Sequence, residues 1–179
     1  YPTLNITTAN ELHVPTGKTI AVTLESVDVE HGFWAPGIFG KMDAVPGIKN
    51  RMTFQVDAPG EYGGQCTQFC GVQHAQMRLV VVGDDPAAFQ KWASAMQATA
   101  LKASGDAARG EKALLEGACI GCHTVNGTTA KGKFGPDLTH LQTRKFIAGG
   151  ILENTPENLK AWLSNPQAIK PGTLMPKLD

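Results

Sequence analysis

In the first half of the chain apolar and polar residues alternate. Leu12 and Val14, then Ile20, Val22 and Leu24, stand at every second position on either side of Pro15-Thr16-Gly17. That spacing predicts a hairpin of two strands with one buried face. Met52, Phe54 and Val56 repeat the period, Pro59-Gly60 marks a turn, and Leu79 to Val82 forms a short continuous apolar run. Short strands set between turn residues predict a small antiparallel sandwich. The period then changes to that of a helix. Asp85-Pro86 has the form of an N-cap followed by proline at the first helical position. Behind it Phe89, Trp92, Ala93 and Met96 make a stripe that packs on a domain, so Met96 reads as core rather than as a ligand. Lys102-Ala103-Ser104-Gly105 interrupts this pattern and reads as a linker. Asp106 is placed to cap a second helix running to about Glu116, and Thr155-Pro156 opens another that carries Leu159, Trp162 and Leu163. The expected organisation is a β domain with a C-terminal helix over residues 1–101, a linker over 102–105 and a helical domain over 106–179.

Composition narrows the function classes. Sixteen basic and sixteen acidic residues leave no net charge, so the chain has no electrostatic footprint for nucleic acid or an anionic membrane. No apolar run approaches the roughly 18 residues of a membrane span. An initiator Met and a signal peptide are also missing from the sequence. Four cysteines occur, and the two motifs that contain them use them all.

The first motif is Cys66-Thr67-Gln68-Phe69-Cys70-Gly71-Val72-Gln73-His74-Ala75-Gln76-Met77. Two thiols, an imidazole and a thioether on one loop are soft donors that suit copper better than a hard cation. A mononuclear blue-copper site needs a single thiolate, and the surplus cysteine therefore points to two metals bridged by two thiolates. Each metal then requires one imidazole and one weak axial ligand. Met77 and the backbone carbonyl of Gln68 are the axial candidates, His74 is one imidazole, and His31, which follows a strand-like run, is the candidate for the other. A disulfide or half a zinc site accounts for neither Met77 nor His31.

This arrangement resembles the binuclear CuA centre of cytochrome c oxidase subunit II, from about residue 12 to residue 82. The pattern is a His before an aromatic pair and Pro, here His31-Gly32-Phe33-Trp34-Ala35-Pro36, followed by a C-x-E/Q-x-C-G-x-x-H-x-x-M loop. The resemblance implies a cupredoxin-like Greek-key barrel and assigns the Gln68 ligand to its carbonyl, so Gln in place of the usual Glu leaves the metal in place. Gly32 stands where Ser is usual, which implies a looser turn behind His31.

The second motif is Cys119-Ile120-Gly121-Cys122-His123. C-x-x-C-H is the attachment signature of c-type haem, in which the thiols add to the vinyl groups and the adjacent His becomes the proximal iron ligand. A thioredoxin-like redox pair needs a βαβ setting that the surrounding sequence lacks. Met175, held between Pro171 and Pro176, is the candidate distal ligand. His140 is a weaker alternative, too close to the Gly135-Pro136 turn to lie on a distal loop. His13, in a strand without ligand neighbours, reads as an ordinary edge histidine. From about residue 105 onward the chain resembles a class I cytochrome c, an all-α fold. That resemblance implies that the carbonyl of Pro136 holds the His123 ring, that Arg144 lies near a haem propionate, and that Leu114, where many members have Phe, makes a smaller contact with Trp162.

Taken together, the two domains resemble a subunit II of haem-copper oxidases with a fused cytochrome c. The implied function is to receive electrons from an external donor on haem c, pass them to CuA and deliver them to the catalytic subunit I. Family members are anchored by N-terminal transmembrane helices, so the chain is expected to be a soluble fragment from the periplasmic face of a bacterial inner membrane. With His and Met on opposite faces the iron has no open position, and no acid/base constellation accompanies either motif, so electron transfer is expected rather than bond-making chemistry. The rival readings are a free-standing electron carrier and the electron-input module of a nitrous oxide reductase.

Overall fold

A computed structural model describes residues 1–178, which fall into two compact units. One comprises Asn10–Phe89 with residues 145–178; the other comprises Tyr1–Ala9 with Gln90–Arg144.

Within the first unit, residues 10–89 form the strands β1 (Glu11–Pro15), β2 (Thr19–Leu24), β3 (His31–Phe33), β4 (Met42–Ala44), β5 (Asn50–Gln55), β6 (Gly60–Gln65) and β7 (Arg78–Asp84). They pair as a three-stranded sheet β1-β7-β6 and as the two-stranded sheets β2-β5 and β3-β4. The expected β1–β2 hairpin does not form. β1 instead runs parallel to β7 with Leu12 opposite Val81, and β2 runs antiparallel to β5 with Ile20 opposite Phe54. The chain changes sheets at Thr16-Gly17, where Thr16 N donates to Asp84 O at 2.8 Å and Gly17 N to Val56 O at 2.9 Å. Alternation marks the buried face of a strand and carries no information about its neighbour, and for that reason a mixed sandwich was legible only as an antiparallel one.

Val14, Ala35, Phe54, Val56 and Val81 form the buried core, with Leu12, Ile20, Val22 and Met52 packed around it. Residues of both main sheets contribute, and each fully buried Val or Phe is worth about 1.5–3 kcal/mol over an exposed one. The apolar run before Gly83 becomes β7, whose Val80 and Val81 are both buried although they face opposite sides. His13 is more than an edge histidine, since its Nδ1 is hydrogen-bonded to Asp84 Oδ2 at 2.8 Å between β1 and β7.

The C-terminal part of this unit contains a two-residue ladder, β8 (Phe146–Ile147) with β9 (Leu152–Glu153), followed by α3 (Pro156–Ser164) and α4 (Pro166–Ile169). The region read as all-helical thus includes one short β pair. Thr155 caps α3 by accepting from Asn158 N at 3.2 Å, and Asn165 caps α4 by accepting from Ala168 N at 3.1 Å. The segment joins the sandwich through Arg78 N, which donates to Gly149 O at 3.1 Å, and through Lys145 N, which donates to Glu11 Oε1 at 2.8 Å. The packing units therefore cut the chain at other places than the linker read at 102–105.

α1 (Pro86–Met96) begins in the sandwich unit and ends in the other. Its stripe is buried at Ala93 and half-buried at Trp92 and Met96, and the Trp92 ring meets the edge of Tyr1 at 5.2 Å between centroids. α2 (Asp106–Glu116) leads into a 3-10 turn over Ala118–Gly121. Its N-cap is Gly105, at φ 58° and without a side-chain cap. Asp106 sits one residue further in, where it faces the positive end of the helix and pairs with Arg109 at 3.0 Å. Among the described residues no helix is long and apolar enough to cross a membrane.

Candidate metal centres

The copper motif is shaped by two backbone closures. Cys66 N donates to Met77 O at 2.9 Å, cinching residues 66–77 into a loop at the mouth of β6 and β7. Thr67 N donates to Gly32 O at 3.2 Å and so sets the loop against β3, which carries His31. Gly32 does not loosen this turn. It is buried, and a Cβ there would lie 2.2 Å from Thr67 Oγ1, 3.0 Å from Gln68 N and 3.1 Å from Thr67 N. With no side chain at residue 32, the Thr67 hydroxyl and the Thr67–Gln68 backbone fit closely against β3, and Gly32 N–H lies 3.5 Å from Cys66 Sγ.

Six donor groups converge as a result. The sulfurs of Cys66 and Cys70 are 3.7 Å apart. His31 Nδ1 lies 3.9 Å from Cys66 Sγ, and His74 Nδ1 lies 3.7 Å from Cys70 Sγ. Met77 Sδ is 3.9 Å from Cys70 Sγ, and the Gln68 carbonyl oxygen is 3.2 Å from Cys66 Sγ while its side chain points to solvent. A one-turn 3-10 helix over His74–Gln76 spaces His74 from Met77.

The two thiols are driven apart in acidity. Burial pushes Cys66 up, but hydrogen bonds to the backbone of Gly32 and Gln68 and to the imidazoles of His31 and His74 outweigh it and bring the thiol down to about 7. Burial and the neighbouring Cys66 sulfur push Cys70 up to about 11. Between about 7 and about 11 the free pair therefore carries one negative charge, on Cys66. Burial opposes a charged His31, yet Asp28 Oδ1, 2.9 Å from His31 Nε2, helps raise it above the ordinary histidine value. Asp28 itself is held near 2, chiefly by that hydrogen bond. Its place three residues before His31 was the available sequence signal for this partner, and it went unread.

The haem motif is local. Cys119 and Cys122 flank the end of the 3-10 turn as half-buried free thiols, and His123 N donates to Cys119 O at 2.9 Å. The imidazole of His123 donates from Nδ1 to Pro136 O at 2.7 Å, leaving Nε2 as the donor atom for a metal. Gly135 N donates to Cys122 O at 2.7 Å, and a Cβ on Gly135 would fall 2.5 Å from His123 Cε1. The missing side chain is what lets the Pro136 carbonyl reach under the ring. The Arg144 guanidinium donates to the Asp137 carbonyl. His140 Nε2 lies 3.0 Å from Met96 O and is engaged there. Met175 belongs to the other unit, half-buried, with its carbonyl accepting from Gln167 Nε2 at 2.9 Å.

Comparison with known proteins bears on these readings. Residues 3–83 match the family described as the cytochrome c oxidase subunit II periplasmic domain, and residues 107–179 match cytochrome c. The two matches lie one after the other along the chain. Among named relatives, cytochrome c oxidase subunit 2 of Alkalihalophilus pseudofirmus is 37% identical over 98% of this chain and 51% of that protein. The subunit 2 of Bacillus subtilis is 35% identical over 100% of this chain and 54% of its own length. The chain thus spans about half the length of the curated relatives it matches. A solved structure, the periplasmic domain of subunit II from Bradyrhizobium japonicum, is 33% identical over 54% of this chain and 69% of that chain, with a TM-score of 0.48.

The cofactors that the two family matches imply are a CuA copper pair and a haem c. The donor chemistry on the page fits both. Two adjacent sulfurs with an imidazole beside each suit two soft ions, and the C-x-x-C-H turn with a carbonyl-anchored His suits covalent haem.

Proposed function

We propose that this chain is the electron-input subunit of a haem-copper terminal oxidase, carrying electrons from an external donor through haem c to CuA and on to the catalytic subunit I. The observation that carries this reading is the pair of sulfurs 3.7 Å apart with one imidazole beside each, in a chain whose second half holds C-x-x-C-H. Cys66 and Cys70 would hold the two coppers as thiolates, His31 and His74 as imidazoles, and Met77 and the Gln68 carbonyl as weaker donors. Cys119 and Cys122 would form the haem thioethers, with His123 proximal and Met175 distal. Pro136 O fixes the His123 ring, and Arg144 is the residue for a propionate. When bound, these groups supply one-electron transfer without making or breaking bonds. The protein contributes rigidity. Loop closure at Cys66–Met77 and the His31–Asp28 and His123–Pro136 hydrogen bonds hold the donors so that little moves when the charge changes.

The sandwich is read as a Greek-key cupredoxin barrel, on the pairing of β1 with β7 and β2 with β5. We read the domains as 1–101 and 106–179 joined at 102–105, a reading supported by two separate family matches, over residues 3–83 and 107–179. We read the location as the periplasmic face of a bacterial inner membrane, a reading supported by the match to a periplasmic domain. A photochemical pulse that reduces the haem tests the relay. A first-order transfer to copper that keeps its rate on dilution is expected, because a short tether holds the second centre at an effective concentration in the millimolar range or above. A rate proportional to protein concentration would show two carriers that merely share a chain.

A further inference from the structure

A buried lysine outside both metal sets ties the copper loop to the segment that carries Met175. Lys170 is only 9% exposed, and its Nζ donates to Gln76 O at 3.1 Å and to Ala148 O at 3.2 Å. Among the described residues no carboxylate pairs with it, and the ammonium is held by these two carbonyls, an arrangement that costs desolvation. Burial accordingly lowers its affinity for the proton. Gln76 is the last residue of the 3-10 turn that spaces His74 from Met77.

Three further contacts continue the connection. Gln73 Nε2 donates to the Pro171 carbonyl, one residue before His74 in the copper loop. Gly172, at φ +82°, passes so close to the loop that a Cβ would meet Val72 Cγ1 at 3.0 Å. Gln167 then fixes the rest of the segment, donating to Thr173 O at 2.7 Å and Met175 O at 2.9 Å and accepting from Gly172 N at 3.0 Å. From the other side Ala148, Gly149 and Gly150 all adopt positive φ and wrap the exit of the loop, where Arg78 N donates to Gly149 O.

We propose that Lys170 and Gln73 form a latch that fixes the Met175 segment on the copper loop and thereby sets the rate of transfer between the two centres. The inference rests on the relay reading above. In the step concerned, one electron leaves ferrous haem and enters the oxidised copper pair, with no bond formed or broken. The latch acts by position. It supplies a short path of peptide and hydrogen bonds, from Met175 back to Pro171 and across to Gln73 beside His74.

The test uses the full chain with both cofactors and the variants Lys170→Met and Gln73→Met, which keep side-chain length and remove the donor. Two quantities are read: amide hydrogen exchange over residues 171–178, and the first-order rate of copper reduction after the photochemical pulse. The latch predicts exchange at least tenfold faster and transfer at least tenfold slower in both variants, with the copper spin spectrum and the haem spectrum as in the parent. Unchanged exchange overturns the latch, and so does faster exchange with an unchanged transfer rate; both results leave the relay standing. A parent chain without concentration-independent transfer overturns the relay itself, and that result is visible before any variant is made. Should Lys170→Met fail to fold, Gln73→Met carries the same two predictions alone.

Discussion

The copper and haem motifs were equally visible in the sequence, yet the fold builds them in opposite ways. The copper set brings His31 to Cys66 across 35 residues, through strand β3 and a glycine that admits the loop backbone. The haem set places Cys119, Cys122, His123 and Pro136 within one turn and a loop, with Gly135 making room under the imidazole. A long-range site depends on the sandwich for its geometry, whereas the haem attachment turn with His123 needs only its own loop, and Met175 alone of the proposed haem ligands comes from the sandwich unit. Damage to the sheet should therefore reach copper first, and damage near residue 135 should reach haem alone.

The largest effect is expected where a bridge is removed. Cys66→Ser and Cys70→Ser each leave one soft sulfur for two metals, so the shared-electron spin pattern should vanish while the haem spectrum is retained. Loss of the haem spectrum as well would show that the two sites are not independent. Met175→Ala comes next. It should abolish the sulfur-to-iron charge-transfer band and lower the haem potential by a sizeable part of the roughly 0.8 V range that axial ligands command, leaving copper unaltered. An unchanged haem spectrum would hand the distal role to His140 or Met96.

Two smaller effects sharpen the contrast. Gly32→Ser, which restores the residue usual in the family, collides with Thr67 and the Gln68 amide, and it should weaken copper binding about tenfold or more, measured by competition with a chelator. Asp28→Asn removes the charge behind His31 and should cost about tenfold in copper affinity, with the haem potential unmoved. Equal affinity in either variant would mean that His31 is aimed by something else.

Proton release on copper loading gives the smallest and most specific signal. Because Cys66 is lowered to about 7 and Cys70 raised to about 11, loading between these values should release the Cys70 proton alone. As pH falls through about 7 the Cys66 proton is added, and the raised His31 contributes at the acid end. The same shifts act on the copper-free fold with opposite signs. The lowered Cys66 stabilises it above the ordinary thiol range, and this contribution is lost as pH falls through about 7. The raised Cys70 stabilises it below that range, and its contribution is lost as pH rises through about 11. A pH-stat record on copper-free chain that shows two protons throughout would contradict the split.

The parts of this molecule that could be read from sequence are those whose physics is local. Thr155 was read as a cap and caps, and the helical stripe of Ala93 and Trp92 is buried as its period requires. The donor list was legible because soft ligands rarely cluster within twelve residues by chance. Strand partners were not legible, since Leu12 and Val14 alternate identically whether they pair with β2 or with β7. Gly32 was misjudged for a related reason: its value lies in a close approach by Thr67, a residue 35 positions away, and a glycine in sequence looks only like lost rigidity. Lys170 gave no signal at all, because its burial is a property of the packed segment and of no pattern around it.

The central claim is that two sulfurs 3.7 Å apart hold two coppers as one redox unit. Metal analysis of the purified chain, taken with the electron-spin spectrum of its oxidised form, tests this directly. The account predicts two coppers and one haem iron per chain, with a single unpaired electron split by both copper nuclei. One copper per chain with a mononuclear spectrum would contradict it.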